Sequence, residues 1–199
     1  MRFKKSYKTL TFTKDRTIFE IKVPKINDEE ATYKSSAMAM ESFFASLHGL
    51  LKSKIEEGEF FSLEIISKPG VGIKFYALCS QKSAGYLEGQ IYANYPGAQL
   101  IQVTSNFGDY ESEKYWEMAK LTEIKHYIFP LKTYNDLEID TMSSATSAMS
   151  QLQEGESVSF QILVQPIGDV WQKEGNDYVS IMKTGKNPKE MSTAQNIIV

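Results

Sequence analysis

The sequence contains a single cysteine, Cys79, among 199 residues. One cysteine excludes an intramolecular disulfide and a zinc site built from a cluster of cysteines. Because Cys79 follows Phe75 and Ala77 on a predicted strand, we expect a buried structural thiol rather than a nucleophile.

The chain also lacks a large excess of charge of either sign and any long apolar run. The formal net charge of -3 argues against a protein whose whole surface binds nucleic acid, although it leaves room for a local basic patch. No apolar run approaches the ~18 residues that cross a bilayer, and the charged N-terminus lacks a following apolar segment. We therefore expect no membrane segment in this chain and a cytoplasmic location.

Groups suited to catalysis are scarce. His48 lies beside the apolar stripe of a predicted helix and His126 in a predicted strand, so both are expected to be structural or exposed. The glutamates at 56–59 crowd a turn, where a solvated surface is the default. We expect no catalytic residue, no cofactor and no metal site. A small-molecule enzyme would instead require a deep pocket with a perturbed His48 or Cys79.

The clearest positive pattern is a helix followed by a strand between Met38 and Ile66. Apolar side chains recur there at i, i+3, i+4, i+7, i+10 and i+11, which predicts one buried stripe. They are Met40, Phe43, Phe44, Leu47, Leu50 and Leu51. Residues 61, 63 and 65 then alternate with their neighbours, as a strand with one buried face does.

A weaker version of this pattern recurs about a hundred residues later. Met142, Ala145, Met149 and Leu152 form a narrower stripe, and an alternating strand follows at 158–163. The segment Glu57-Gly58-Glu59-x-Phe61-Ser62-Leu63-x-Ile65 agrees with Glu154-Gly155-Glu156-x-Val158-Ser159-Phe160-x-Ile162 at the turn and at the inward strand positions. We interpret this as an internal duplication.

The first half reads β-α-β-β-α-β. A strand at Thr17–Val23 precedes the first helix, a turn at 68–72 joins the strand at 60–67 to one at Ile73–Cys79, and a helix and a closing strand at 98–104 follow. Ala84, Leu87, Ile91 and Tyr95 line one face of that second helix. This order predicts an α+β, ferredoxin-like fold, duplicated with a divergent second copy.

Domain boundaries follow from these patterns. We predict a basic arm or edge segment at 1–16, a first ferredoxin-like half at 17–104, a linker at 105–120 and a related α+β half at 121–184. The second half begins with a strand at 121–131 and contains a helix from Val170 to Thr184. The tail at 185–199 ends on Ile197-Ile198-Val199, and we expect a further domain beyond it.

Several blocks of the chain, in this order and spacing, resemble a family of bacterial proteins. They are Phe44-Ala45-Ser46-Leu47-His48-Gly49-Leu50, Phe61-Ser62-Leu63-Glu64-Ile65, Ile73-Lys74-Phe75-Tyr76 and Glu88-Gly89-Gln90-Ile91-Tyr92-Ala93-Asn94-Tyr95-Pro96, with Glu154-Gly155-Glu156 and Gln161-Ile162-Leu163-Val164-Gln165-Pro166-x-Gly168-Asp169-x-Trp171 later in the chain. The chain resembles, over about residues 18–184, the domain before the motor in bacterial type IV secretion and conjugative DNA-transfer ATPases of the FtsK/HerA class.

This resemblance implies a non-catalytic accessory and assembly domain. Its partner would be its own downstream ATPase domain or a separate motor subunit, in a homo-oligomer at the inner face of the membrane. The chain itself lacks a phosphate-binding loop, because Gly185-Lys186-Asn187 has Ser180 where the first glycine belongs and no Ser/Thr after the lysine.

The sheet face opposite the helices is the predicted interaction surface. Its outward positions are Ile18, Glu20, Lys22, Ile66, Lys74, Tyr76 and Leu78, of which all but Glu20 are proposed contact residues. Only Tyr76 could stack on a base, so this face favours protein docking. The alternative is a stand-alone RRM-like module that binds single-stranded nucleic acid with salt-sensitive affinity weakened by Tyr76→Ala.

Overall fold

The structure is a computed structural model that describes residues 15–23, 33–49, 60–104, 117–121, 128–129, 132–133, 136 and 141–185. The chain divides into two compact units, one of residues 1–109 and 141–166 and the other of 110–140 and 167–199. The described strands are β1 (Arg16–Lys22), β2 (Phe61–Lys68), β3 (Gly72–Ser80), β4 (Gln99–Val103) and β5 (Val158–Val164), and the helices are α1 (Tyr33–His48), α2 (Ala84–Asn94), α3 (Thr141–Met149) and α4 (Val170–Lys183). The predicted α+β class is confirmed.

All five strands lie in the first unit and form one antiparallel sheet in the order β4-β1-β3-β2-β5. β2 and β3 form the predicted hairpin, in which the Val71 amide donates to the Lys68 carbonyl at 3.2 Å. Gly70 and Gly72 have φ angles of 75° and 80°, which side-chain-bearing residues rarely adopt. The glycines of this turn therefore set the register of the hairpin.

The larger apolar cluster lies on the face of the sheet that α1 and α2 cover. The amphipathic pattern of α1 places Phe43 and Leu47 in this cluster, and α2 contributes Leu87 and Ile91. The strands supply Phe19, Phe61, Ala77 and Cys79. For α2 the predicted inward face is confirmed, because Ala84 and Tyr95 also pack against the cluster.

Apolar periodicity overestimated burial at Met40 and at two inward positions of β5. Met40, on the predicted stripe of α1, is 36% exposed, and Val158 and Ile162 are 36% and 43% exposed. These predictions are wrong; for β5 the reason is that, among its residues, only Val164 packs against the cluster that α1 and α2 cover. Leu50 and Leu51 lie outside the described residues.

The opposite face of the sheet carries a second, smaller buried cluster. Ile18, Ile66, Tyr76 and Leu78 are each no more than 2% exposed, and Val103 packs against them. Both faces of β3 are therefore buried over residues 76–79, which explains its continuous apolar run from Phe75 to Cys79. β2 is buried on both faces at residues 61–62 and 66–67 but carries Ser62, Glu64 and Ser67 among its apolar residues.

The observed units differ from the predicted halves. The predicted second half at 121–184 includes the segments of α3 and β5, whereas the structure groups 141–166 with the first unit because β5 pairs along β2. The predicted strand at 121–131 is a turn and a bend at 128–129, and 122–127 and 130–131 lie outside the described residues. Residues 1–14 of the predicted arm at 1–16, 105–116 of the predicted linker at 105–120 and 186–199 of the predicted tail at 185–199 lie outside them too.

The second unit contains α4, whose bounds agree with the predicted helix from Val170 to Thr184 within one residue. Within this unit the rings of Phe129 and Tyr178 meet edge to face, with centroids 5.7 Å apart. Among the described helices, none is long and apolar enough to cross a membrane.

Candidate functional site

A row of polar side chains crosses the face of the sheet that carries the smaller cluster. Glu20 on β1 lies opposite Tyr76 on β3, Tyr76 lies opposite Glu64 on β2, and Glu64 lies opposite Gln161 on β5. We call these four residues the polar row. Because opposite residues in antiparallel strands share a face, the row is set by strand register alone.

Glu64 is the most deeply placed carboxylate of this row, at 5% exposed. Its Oε1 accepts hydrogen bonds from the Ser62 hydroxyl at 2.8 Å and from Gln161 Nε2 at 2.7 Å. Gln161 Nε2 also lies 2.9 Å from the Ser62 hydroxyl oxygen. A buried charge requires such hydrogen bonds, since leaving it unpaired would cost several kcal/mol (on the order of 3–5).

The other end of the row carries an ion pair. Lys74 Nζ lies 3.0 Å from Glu20 Oε1, with the two side chains 28% and 13% exposed. A pair of this kind contributes about 1 kcal/mol or less. Its main consequence is to hold a negative charge beside Tyr76.

Tyr76 is 1% exposed and lies between the two carboxylates of the row. Burial, with a smaller contribution from the Glu20 carboxylate, raises the pKa of Tyr76 from 10.0 to about 12. The phenol is therefore neutral over the physiological range.

The predicted interaction surface is mostly buried. Of its six residues, Ile18, Ile66, Tyr76 and Leu78 lie in the smaller cluster, whereas Lys22 is exposed and Lys74 is partly exposed. The expectation of an open sheet face is wrong at the four buried positions, because apolar side chains at this density gain free energy by leaving water. Tyr76 is accordingly inaccessible to a nucleic-acid base.

The sequence candidates for catalysis differ in their exposure to solvent. Cys79 is buried as predicted, at 0% exposed, and His48 is an exposed residue at the end of α1. His126 and residues 56–59 lie outside the described residues. In the part of the chain that the structure describes, no three His, Cys, Asp or Glu side chains are grouped as metal ligands would be.

An exposed apolar surface lies instead on the helix-bearing face, toward β5. Ile65 on β2 is opposite both Phe75 on β3 and Phe160 on β5, and Ile162 is the next residue along that face of β5. Phe75 and Ile162 are 42% and 43% exposed, and Ile65 and Phe160 are partly exposed. We call these four residues the apolar patch.

Sequence reasoning missed Ser62, Glu64 and Gln161 as a group. The available signal was Glu64 in the middle of an apolar strand, together with Gln161 at the position that the internal alignment equates with it. The two residues are 97 apart in sequence, so only the strand pairing brings them together.

Replacing Gln161 by leucine tests the hydrogen bonds to Glu64. We expect the free energy of unfolding at pH 7 to fall by about 1–3 kcal/mol, because a buried carboxylate loses a donor. Ser159→Ala on the same face of β5 is the matched control and should change stability by less than ~0.5 kcal/mol. Urea unfolding of the two variants measures both, and equal effects would contradict the role assigned to Gln161.

Comparison with known proteins identifies a protein family that matches this chain. The chain matches a family described as a domain of unknown function (DUF8128) over residues 9–194. No curated protein and no solved structure matches the chain. Since the family match spans nearly the full sequence, which combines the five-stranded sheet and α4, the chain belongs to the DUF8128 family.

Proposed function

We propose that this chain is a non-catalytic docking domain that acts by protein–protein contact, as the accessory and assembly domain of a DNA-transfer-type ATPase. The observation that carries the docking role is the apolar patch of Ile65, Phe75, Phe160 and Ile162. The proposal that the partner is an ATPase rests on the resemblance of the sequence to domains that precede such motors.

The patch supports docking because its members adjoin one another. Single exposed apolar side chains are ordinary on a protein surface, whereas a contiguous group marks a contact site. Phe75 and Phe160 flank Ile65 on neighbouring strands, and aromatic side chains are enriched at the centres of interfaces. A partner that covers the patch would remove apolar area from water without breaking a hydrogen bond of the sheet.

We further infer that residues 16–103 form a ferredoxin-like split βαβ unit and that α3 and β5 derive from a second copy of it. The order β-α-β-β-α-β and the strand order β4-β1-β3-β2 support the first inference. The second is supported by the register, in which the equated residues Glu64 and Gln161 lie opposite each other.

The test begins with the reading frame beyond Val199 and with the adjacent genes, searched for a Gly-x-x-x-x-Gly-Lys-Ser/Thr loop. The encoded motor domain is purified and titrated with this chain, and binding and ATP hydrolysis are measured. We expect saturable binding that Phe75→Glu weakens at least ~10-fold, which corresponds to ~1.4 kcal/mol.

Tyr92→Glu on α2 is the matched control, since Tyr92 is 40% exposed and lies outside the patch. It should bind like the wild type. Stable complexes have dissociation constants well below ~100 μM. If no binding is seen at this protein concentration, the motor is excluded as the partner. Salt-sensitive binding of a single-stranded oligonucleotide would favour the nucleic-acid-binding alternative instead.

A further inference from the structure

The sheet ends at β5 with an outer edge that no described strand pairs. β5 reads Val-Ser-Phe-Gln-Ile-Leu-Val over Val158–Val164, with no charged residue, proline or glycine. Edge strands are normally protected by charges, prolines or bulges, because their open backbone groups pair readily with another strand. β5 lacks the protection that side chains provide.

The pairing of β5 with β2 shows what kind of strand it accepts. In that register Glu64 is opposite Gln161, and the pairs on either side of this centre run symmetrically from Phe61–Val164 to Ser67–Val158. The centre joins the residues that the internal alignment equates. β5 is therefore already paired antiparallel with a strand of its own pattern.

A second β5 in the same arrangement would be self-complementary. Gln161 would face Gln161 of the other copy, Phe160 would face Ile162, Ser159 would face Leu163, and Val158 would face Val164. Apolar side chains then meet across the helix-bearing face, and two amides meet on the other. Two copies of β2 could not pair in this way, because Glu64 would face Glu64.

Charge and exposure also favour a second copy as the occupant. The neutral β5 brings no repulsion to a two-fold contact, and Val158, Ile162 and Leu163 are 36%, 43% and 45% exposed. We propose that two copies of this chain associate about a two-fold axis through antiparallel pairing of their β5 strands, which joins the two sheets into one. This inference does not depend on the motor being the partner of the apolar patch.

Cysteine cross-linking tests the register. The native cysteine, Cys79, is buried, so it should not form competing disulfides between chains. Cysteines that face each other across antiparallel strands have the Cα separation that a disulfide needs. At ~100 μM protein and mild oxidation, chosen to exceed the Kd of a small interface, Gln161→Cys should become mostly disulfide-linked dimer. Ser159→Cys and Leu163→Cys should each stay uncross-linked alone, and their mixture should form the heterodimer.

The mixed pair keeps Gln161 and its hydrogen bonds to Glu64, so it remains informative where Gln161→Cys fails to fold. Cross-linking of Ser159→Cys alone as complete as that of the mixture would overturn the register. The absence of any cross-link in the mixture would overturn the dimer.

Sedimentation of unmodified protein gives an independent readout. Lysine on an edge strand blocks pairing, so Leu163→Lys should raise the dimer dissociation constant at least tenfold. Ile101→Lys, on the β4 edge and 40% exposed, is the matched control and should leave it unchanged. A wild type that is monomeric at ~100 μM would refute the proposal, whereas Phe75→Glu, which tests the motor contact, should leave dimerisation intact.

Discussion

Phe61→Ala should lower the free energy of unfolding by about 3–5 kcal/mol, the largest loss expected from a single substitution in this chain. Phe61 is 0% exposed and belongs to the cluster that also contains Phe43, Leu47 and Leu87. Truncation removes a whole ring from this cluster and leaves a cavity that rigid neighbours fill only in part. Equilibrium unfolding in urea or guanidinium measures the loss.

Phe75→Ala is the control of the same residue type on the same face of the sheet. Phe75 is 42% exposed, so its truncation should cost about 1 kcal/mol or less. Phe61→Leu keeps most of the apolar volume and gives a measurable folded variant even where alanine prevents folding. Equal losses for Phe61→Ala and Phe75→Ala would contradict the placement of the core.

Alkaline pH should destabilise the protein through Tyr76. Its pKa is about 12 in the folded chain and 10.0 in the unfolded one, so between these values the folded state binds more protons. The free energy of unfolding therefore falls as the pH rises above 10. The loss reaches about 2–3 kcal/mol near pH 12, since each pH unit of the difference is worth ~1.4 kcal/mol.

Tyr76→Phe isolates this effect because it removes the ionisable hydroxyl and keeps the ring. The stability of the variant, measured against pH from 8 to 12, should fall less steeply than that of the wild type. Tyr95, whose pKa burial also raises, contributes equally to both proteins and cancels in the comparison. Parallel curves for the two proteins would show that Tyr76 ionises as freely in the folded chain as in the unfolded one.

Local periodicity predicted most of the first half of the chain. The 3.6-residue stripes located α1 and α2, alternation located β2 and β3, and Pro69-Gly70 marked the hairpin, because each signal depends on residues close in sequence. Phe43, Leu47, Leu87 and Ile91 are buried for the same reason.

The partner of β5 and the burial of Glu64 could not be predicted in this way. An alternating strand shows which residues share a face, but the strand beside it is chosen by contacts across the whole sheet. The alternation of residues 61, 63 and 65 with their neighbours predicts an outward position for Glu64, where water would solvate it. It lies in the interior because β5 and the smaller cluster enclose β2, and its hydrogen bond to Gln161 joins residues 97 apart.

β5 is synthesised after the other four described strands, and this order has a consequence for the nascent chain. β4, the last of these four strands, ends at Val103 and leaves the ribosome before β5, which begins at Val158. Translation at ~5–20 residues per second separates the two events by several seconds. In a sheet made of those four strands alone, β2 is an edge strand, because β5 pairs its outer side in the complete sheet. Glu64 at its centre, and Lys68 at its end, then act as gatekeepers, because two growing chains that met at β2 would bring carboxylate against carboxylate. The carboxylate that later accepts a hydrogen bond from Gln161 would thus first serve to prevent aggregation on the polysome.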